Sequence, residues 1–140
     1  MEQKKLKHIL LIDDDEPTTF MYTMVLEQSG YSENILVAQG GEEALDILQK
    51  TSGDSPELIF VDINMPRMDG WEFLEQYKQI SNAKTKKPVI IMLSTSLNPD
   101  DETKANEIPE VAAFMHKPLT PGMLQQIVMK YFYREKKSNN

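Results

Sequence analysis

The amino-acid sequence predicts an α/β domain built on a doubly wound, five-stranded parallel sheet with helices on both faces. Short apolar runs alternate with amphipathic helical patterns five times along the chain. Most of these runs are apolar throughout, as expected for strands that are buried on both faces. Because each helix must cross back over the sheet between parallel strands, this alternation favours a parallel sheet with right-handed crossovers.

The strands are predicted at five apolar runs, and the helices lie between them. The predicted strands cover residues 9–12, 35–38, 58–61, 89–93 and 111–115. The first helix begins near Pro17, a residue that suits the first helical turn, and stops before Gly30. Its apolar side is predicted to contain Phe20, Met21, Met24 and Val25.

Four methionines are expected to fill the core because their side chains adapt to irregular gaps: Met21, Met24, Met92 and Met115.

The four later helices are predicted from apolar residues at helical spacing and from capping residues. The second helix spans about 41–50, and the third begins at Gly70 or Trp71. The fourth spans about 99–107, and the fifth extends from the T-P-G segment at 120–122 to about residue 134. Thr120 suits the N-cap of the last helix because its hydroxyl can accept a hydrogen bond from the first turn. The inward side chains are expected to be Ala44, Leu45 and Leu48, then Phe73, Leu74 and Tyr77, and finally Leu124, Ile127, Val128 and Tyr131.

Length and composition predict one soluble domain. The 140 residues suit a single domain over 1–140, with its core at about 7–134 and a polar tail at 135–140. The absence of cysteine excludes disulfides and thiolate metal sites, and the net charge of −7 argues against nucleic-acid binding, which needs a basic surface. The sequence has neither a membrane-length apolar run nor a signal peptide at its start. We therefore expect a cytoplasmic protein that binds neither nucleic acid nor membrane.

Carboxylates, a hydroxyl and an amine follow four of the predicted strands. Asp13 and Asp14 follow the first strand, Asp62 the third, Ser94 the fourth and Lys117 the fifth. Ligands of such sheets bind outside the carboxyl ends of the strands, and in the flavodoxin-like order 2-1-3-4-5 the first and third strands are neighbours. Three carboxylates in one cleft favour a cation, and such oxygen ligands suit Mg²⁺. Since an ammonium and a hydroxyl suit a phosphoryl group, the pattern predicts phosphoryl chemistry at a carboxylate.

Each of these residues also has a structural interpretation. The two acids after the first strand could solvate the strand end and cap the next helix, and Asp62 could be an ordinary turn acid. Ser94 could be a loop hydroxyl, and Lys117 could be a surface lysine. We favour the functional interpretation because these groups are predicted to meet on one edge of the sheet. Asp15 and Glu16 are instead assigned to the helix start, where acids are stabilising.

Four segments of the sequence resemble the motifs of response-regulator receiver domains. They are L-L-I-D-D-D, F-V-D-I-N-M-P-R-M-D-G, M-L-S-T-S and F-M-H-K-P-L, and the resemblance extends over about residues 7–134. Each motif is weak alone, but their order, their intervals and their positions at strand ends are specific. The resemblance implies a single-domain, CheY-like receiver of two-component signalling.

The resemblance implies a chemical role for three residues. Asp62 would be the phosphoacceptor, and its carboxylate would attack the phosphorus of a phosphohistidine on a partner. Lys117 would pair with the phosphoryl oxygens, and Ser94 would hydrogen-bond one of them after transfer. The Lys117–Pro118 peptide bond would be cis, an option open to X-Pro bonds in general.

The resemblance also implies a Mg²⁺ site and a switch. Asp14 would ligate Mg²⁺ directly and Asp13 largely through water, while Asp62 and the backbone carbonyl of Asn64 would supply further ligands.

Ser94 and Phe114 would be the switch residues. Ser94 stands where the family usually has Thr, so the methyl group is lost and the hydroxyl is kept. Phe114 stands where many members have Tyr, so a phenolic hydrogen bond is absent.

The function implied by the resemblance is a phosphorylation switch. A sensor histidine kinase or a histidine phosphotransfer protein would donate the phosphoryl group. The chain would be an acceptor that assists its own phosphorylation and dephosphorylation, and not a conventional enzyme. Since no output domain is expected, it would act by contact with a downstream protein or as a phosphorelay component.

Two alternatives remain open. A haloacid-dehalogenase-type phosphatase uses an aspartate in a D-x-D spacing, which Asp13 to Asp15 contain, but Pro17 stands where that motif has Thr or Val. A receiver-like interaction module that is never phosphorylated usually lacks one of the site residues, and this chain keeps them all.

Overall fold

The fold alternates five strands with five helices, in a computed structural model that describes residues 5–50, 55–80 and 87–133. The strands are β1 (Leu6–Ile12), β2 (Ser32–Ala38), β3 (Leu58–Asp62), β4 (Val89–Ser94) and β5 (Val111–His116). The helices are α1 (Glu16–Ser29), α2 (Gly41–Lys50), α3 (Gly70–Ile80), α4 (Pro99–Asn106) and α5 (Pro121–Tyr131). Every predicted element is therefore confirmed. The last helix ends at Tyr131 instead of about 134, and the predicted tail lies outside the described residues.

The sheet is parallel throughout and has the predicted strand order, β2-β1-β3-β4-β5. In the register of the two central strands, Ile12 lies opposite Val61. The residue after Ile12 is Asp13 and the residue after Val61 is Asp62, so these two acids lie side by side at the carboxyl edge of the sheet. The register of the sheet thus determines which acids meet.

Helices cover both faces of the sheet, as the doubly wound prediction requires. One apolar core lies between the sheet and α2, α3 and α4, and it includes Phe73 and Ala105. The other lies under α1 and α5, and it includes Leu26 and Ile127. The predicted inward residues of α2, α3 and α5 are buried or half-buried. Within the described ranges, no helix is long and apolar enough to cross a membrane.

The predicted apolar side of α1 was wrong for three of its four residues, since only Val25 packs half-buried against the core. Phe20, Met21 and Met24 are 68%, 57% and 43% exposed, so neither methionine fills the core. The residues of α1 that are buried are Thr19, Tyr22 and Leu26. Their spacing of three and four residues forms one helical face, and the Thr19 hydroxyl is satisfied because it donates to the carbonyl of Glu16. A prediction from hydrophobicity alone places the buried face on the wrong side of α1, because a threonine and a tyrosine line the face that is buried. The other two methionines fit better: Met92 is buried, and Met115 packs half-buried against the core.

The turn after β3 brings the chain back against the residue that ends the strand. The amide of Gly70 donates to the carbonyl of Ile63 at 2.8 Å, and Arg67 reverses the chain with a left-handed φ of 68°. A Cβ placed on Gly70 would lie 2.9 Å from both the carbonyl oxygen of Asp62 and the Cα of Ile63. Only glycine fits this contact without a shift of backbone.

Replacing Gly70 by alanine should destabilise the protein by about 1–3 kcal/mol, because the added methyl group meets backbone that cannot move aside easily. Urea unfolding followed by circular dichroism measures the change. Gly122→Ala is the control, since a Cβ there meets no heavy atom closer than 4.0 Å. This control should be neutral or stabilised by up to about 1 kcal/mol. Equal stability of Gly70→Ala and the wild type would contradict the steric argument.

Candidate functional site

The predicted site residues converge on the carboxyl edge of the sheet. Asp13 and Asp14 follow β1 directly, Asp62 ends β3, Ser94 ends β4, and Lys117 follows β5. The backbone amide of Lys117 donates to the carbonyl of Ser94 at 2.9 Å, which continues the β4–β5 pairing beyond the sheet. The Lys117–Pro118 bond is cis, as the resemblance implied.

Lys117 binds two of the three acids. Its Nζ lies 2.8 Å from Oδ2 of Asp13 and 3.1 Å from Oδ1 of Asp62. The side chains of Lys117, Asp13 and Asp62 are only 14%, 2% and 8% exposed, so this cluster is largely shielded from water. The family resemblance implies a contact of Lys117 with an incoming phosphoryl group, but not this direct contact with Asp13. No local signal connects residues so far apart in sequence.

The other oxygen of Asp13 is held by its own loop. Oδ1 accepts a hydrogen bond from the backbone amide of Asp15 at 3.0 Å. The side chain of Asp15 in turn caps α1, accepting from the Thr18 amide at 3.1 Å and from the Thr18 hydroxyl. The bonds from Thr18 lower the pKa of the Asp15 carboxyl. The assignment of Asp15 to the helix start is therefore confirmed, and its amide also orients Asp13.

The three acids fit a hard cation. One carboxylate oxygen from each of Asp13, Asp14 and Asp62 lies within 4.8 Å of the others. Opposite ligands of an octahedral Mg²⁺ stand about 4.2 Å apart, so small side-chain shifts bring these oxygens to one ion. One ammonium leaves three carboxylates undercompensated, which favours a divalent cation there. Both oxygens of Asp13 already accept hydrogen bonds, which suits binding through water.

Burial and neighbouring charges shift the pKa values in this cluster. The pKa of Asp62 is raised from 3.8 to about 6, first because burial disfavours the carboxylate and then because Asp13 is negative. The ammonium of Lys117 opposes this shift. For Lys117, burial disfavours the charged form, but its hydrogen bond to Asp13 and the charge of Asp62 outweigh burial and raise its pKa. The pair thus keeps Lys117 charged next to a carboxylate that holds its proton more tightly than usual.

Ser94 and Phe114, the two predicted switch residues, lie on the adjacent strands β4 and β5. Ser94 is fully buried, and its Oγ accepts a hydrogen bond from the Ser96 amide at 2.9 Å. Among the described residues the Ser94 hydroxyl acts only as an acceptor, so its proton can be donated to an incoming group. Phe114 is half-buried, and its ring meets His116 edge-on at 5.3 Å between centroids. Asn64, whose carbonyl was predicted to bind Mg²⁺, lies exposed in the loop after β3.

Comparisons with known proteins agree with this architecture. The family model of the response regulator receiver domain matches residues 9–129. The alkaline phosphatase synthesis transcriptional regulatory protein PhoP of Bacillus subtilis is 34% identical over 82% of this chain and 44% of its own length. The response regulator Rcp1 of Synechocystis is 31% identical over 76% of this chain and 74% of its own. The crystal structure of a two component response regulator from Cytophaga hutchinsonii superposes with a TM-score of 0.84 at 33% identity, covering 91% of this chain and 97% of that one. The chain thus spans less than half of PhoP and about three quarters of Rcp1.

In protein freed of divalent cations, the Asp62 carboxyl should titrate with a pKa of about 6. Because the folded-state pKa lies above the unfolded value, this group stabilises the fold most below about pH 4, and its contribution declines as pH rises through about 6. Carbon-13 NMR of the carboxyl measures the pKa. Asp13→Asn should lower this pKa and Lys117→Met should raise it, since each removes one of the charges that shift it. A shift of the opposite sign in either variant would contradict the electrostatic explanation.

Proposed function

Because the chain belongs to the response regulator receiver domain family, we propose that it is a phosphorylation switch whose acceptor is Asp62. Receiver domains of this family work as phosphorylatable aspartate switches, and they are phosphoacceptors more than conventional enzymes. The observation that carries the proposal is the position of Asp62, which is 94% buried, beside two further acids and 3.1 Å from the ammonium of Lys117. A carboxylate in this setting is held in one orientation. Because the acids repel an anionic phosphoryl group, the group can approach only when cations neutralise part of the negative charge.

The transfer step is an in-line displacement at phosphorus. Lys117 holds Oδ1 of Asp62, which leaves Oδ2 to attack. A new O–P bond forms to Asp62 as the P–N bond to the donor histidine breaks, and the electron pair of that bond returns to the imidazole nitrogen. The products are an aspartyl phosphate and a free histidine, so no oxidant or further reactant is needed.

Mg²⁺, held by Asp14, Asp62, the carbonyl of Asn64 and, through water, Asp13, would neutralise charge on the phosphoryl oxygens. Lys117 contributes the second cation, already desolvated and oriented by its two carboxylate partners. After transfer the Ser94 hydroxyl donates to a phosphoryl oxygen, since in the described part of the chain it acts only as an acceptor. Phe114 repacks behind Ser94, which changes the surface formed by α4, β5 and α5.

The partners follow from this chemistry. The donor is a sensor histidine kinase or a histidine phosphotransfer protein, and the reader is a downstream protein that distinguishes the two states. The same step also serves a phosphorelay, in which the phosphoryl group moves on to another histidine.

The two alternatives gain less support from the site. In a haloacid-dehalogenase-type phosphatase, Asp13 would be the nucleophile and Asp15 the general acid, but both oxygens of Asp13 already accept hydrogen bonds and Asp15 caps α1. A module that is never phosphorylated would not need Lys117 buried between two acids. Both observations favour the switch.

Incubation with acetyl phosphate and Mg²⁺ should phosphorylate the protein, seen as a mass increase of one phosphoryl group or a shift on a phosphate-affinity gel. Asp62→Asn should abolish the shift because the amide is not a nucleophile, and chelation by EDTA should prevent it. Asp69→Asn is the matched control. It changes an acid of the same loop whose Oδ1 caps α3 by accepting from the Glu72 amide, which an asparagine also does. A shift that survives in Asp62→Asn would overturn the assignment.

Lys117→Met should slow phosphorylation by acetyl phosphate by about a hundredfold, because it removes a preorganised cation from the phosphoryl group. Lys78→Met removes an equal charge from the exposed side of α3 and should leave the rate unchanged within twofold. Rates are compared in single-exponential phosphorylation time courses at saturating Mg²⁺. Equal rates in the two variants would show that Lys117 only holds the acids together.

A further inference from the structure

A cavity lies at the amino ends of β4 and β5, on the edge of the sheet opposite to Asp62. Its volume is about 210 Å³, and its walls come from the last turn of α3, the start of β4 and the chain at the start of β5, including Tyr77, Pro88, Val89, Pro109, Glu110 and Ala112. A cavity of about 150 Å³ accommodates a benzene molecule, so this one has room for a ring or a short alkyl chain with a polar end. None of the phosphoryl-site residues lines it, so the function proposed above leaves it unused.

One oxygen of a lining side chain is buried without a hydrogen-bond donor. Within the described part of the chain, no donor reaches Oε1 of Glu110. Pro88 and Pro109 have no amide proton, so the backbone cannot supply a donor at either position. Lys87 also lines the cavity, but it is exposed and is not bonded to this oxygen. Because a buried carboxylate oxygen without a donor is costly, the cavity favours an occupant that brings one.

Backbone hydrogen bonds fix the two strand ends that border the cavity. The Val89 amide donates to the carbonyl of Glu57 at 2.9 Å, which holds the start of β4. The Val111 amide donates to the carbonyl of Ile108 at 3.0 Å, which closes the turn that contains Glu110. The unpartnered oxygen is therefore carried by an ordered turn.

A bulge and an aromatic pair complete the walls. Ala112 is the extra residue where the pairing of β4 with β5 shifts register, and its carbonyl accepts a hydrogen bond from the Tyr131 hydroxyl at 3.2 Å. The Tyr77 ring stacks on Phe73, with the centroids 6.1 Å apart and the planes inclined by 22°. The cavity is thus formed before any ligand arrives, as small-molecule sites usually are.

We propose that this cavity binds a small organic cation, with a primary ammonium on the Glu110 carboxylate and a compact apolar body against the prolines and the Tyr77 ring. An ammonium brings up to three donors, and its bond to a carboxylate is charge-assisted. A metal ion fits less well, because hard cations take several oxygen ligands and Glu110 is the single carboxylate among the described residues that line the cavity. The net charge of −7 favours a cation over an anion as well. The inference goes beyond the phosphorylation switch and does not rest on it.

The test is an NMR titration of the backbone amides of the full chain with phenethylammonium. Ionic strength is held constant, and Mg²⁺ is present so that the acids around Asp62 do not compete for the ammonium. The dissociation constant should be about 1–10 mM, which a probe of this size reaches at the efficiency of ordinary ligands. The largest shifts should fall on the amides of Val89, Ile90, Glu110 and Ala112.

2-Phenylethanol has the same ring and chain length but no charge, and it isolates the contribution of the ammonium. It should bind at least about tenfold more weakly, because it cannot form a charge-assisted bond to Glu110. Equal affinity of the two molecules, or the absence of a saturable shift with phenethylammonium, would overturn the proposal.

Glu110→Gln keeps the shape of the side chain and removes its charge. It should weaken phenethylammonium at least about fivefold and leave 2-phenylethanol unchanged within about twofold. Glu107→Gln is the matched control, since it removes the same charge from an exposed residue that precedes β5 and does not line the cavity. This control should bind phenethylammonium within about twofold of the wild type, because solvent and salt screen an exposed charge. If both variants weaken the ammonium equally, the acidic surface attracts it in general and the proposal fails.

Asp62→Asn separates this cavity from the phosphoryl site. Because the two lie on opposite edges of the sheet, the variant should bind phenethylammonium with the affinity of the wild type. A loss of binding in this variant would place the probe among the acids at the carboxyl edge and overturn the assignment to the cavity. A protein that is never phosphorylated but binds the probe at Glu110 would contradict only the switch.

Discussion

The ammonium of Lys117, held between Asp13 and Asp62, is the contact on which the site depends. It joins the ends of the neighbouring strands β1 and β3 to the end of β5, which β4 separates from β3 in the sheet. Without it, two buried carboxylates would face each other with no cation between them, and such an arrangement is strongly destabilising. The fold must therefore bring all three strand ends into register before the acids can be buried together.

The same contact sets the chemistry of Asp62. In its proposed role as nucleophile, Asp62 has to be ionised at neutral pH and shielded from water at the same time, and these requirements conflict because burial raises the pKa. Asp13 raises it further, and Lys117 opposes both, with a balance at about 6. Asp62 is consequently ionised for most of the time near pH 7 yet retains a strong tendency to gain a bond from a cation or an electrophile. The surplus negative charge of this cluster is what would favour a divalent cation there.

Much of this could be predicted from the sequence, and the failures have physical causes. The strands were found because runs such as 58–61 are apolar throughout, which only a doubly covered strand tolerates. The convergence of these side chains could be predicted because polar residues follow four such runs, and parallel strands end at one edge. The buried face of α1 was missed because Thr19 and Tyr22 line it, and a threonine enters a core only when its hydroxyl finds a local acceptor. The contact of Lys117 with Asp13 could not be found, since it depends on strand order and side-chain reach and not on any pattern in the sequence.

The distribution of burial explains why one side of the site can be rigid and the other responsive. Asp62 ends a strand whose five residues are all buried, and the backbone of α3 closes on it at Gly70. Ser94 ends a strand that is buried too, but the chain beyond it leads into α4, where a single alanine is buried and hydrogen bonds provide the order. A segment ordered mainly by individual polar contacts has a small free-energy gap between alternative arrangements, whereas a packed core resists deformation as a unit. A disturbance at this edge of the sheet is therefore expected to move the segment from Ser94 to α4 before it moves β3 or α3. Reactive and responsive functions can share one edge of the sheet because the two strand ends lead into parts of the fold with very different apolar burial.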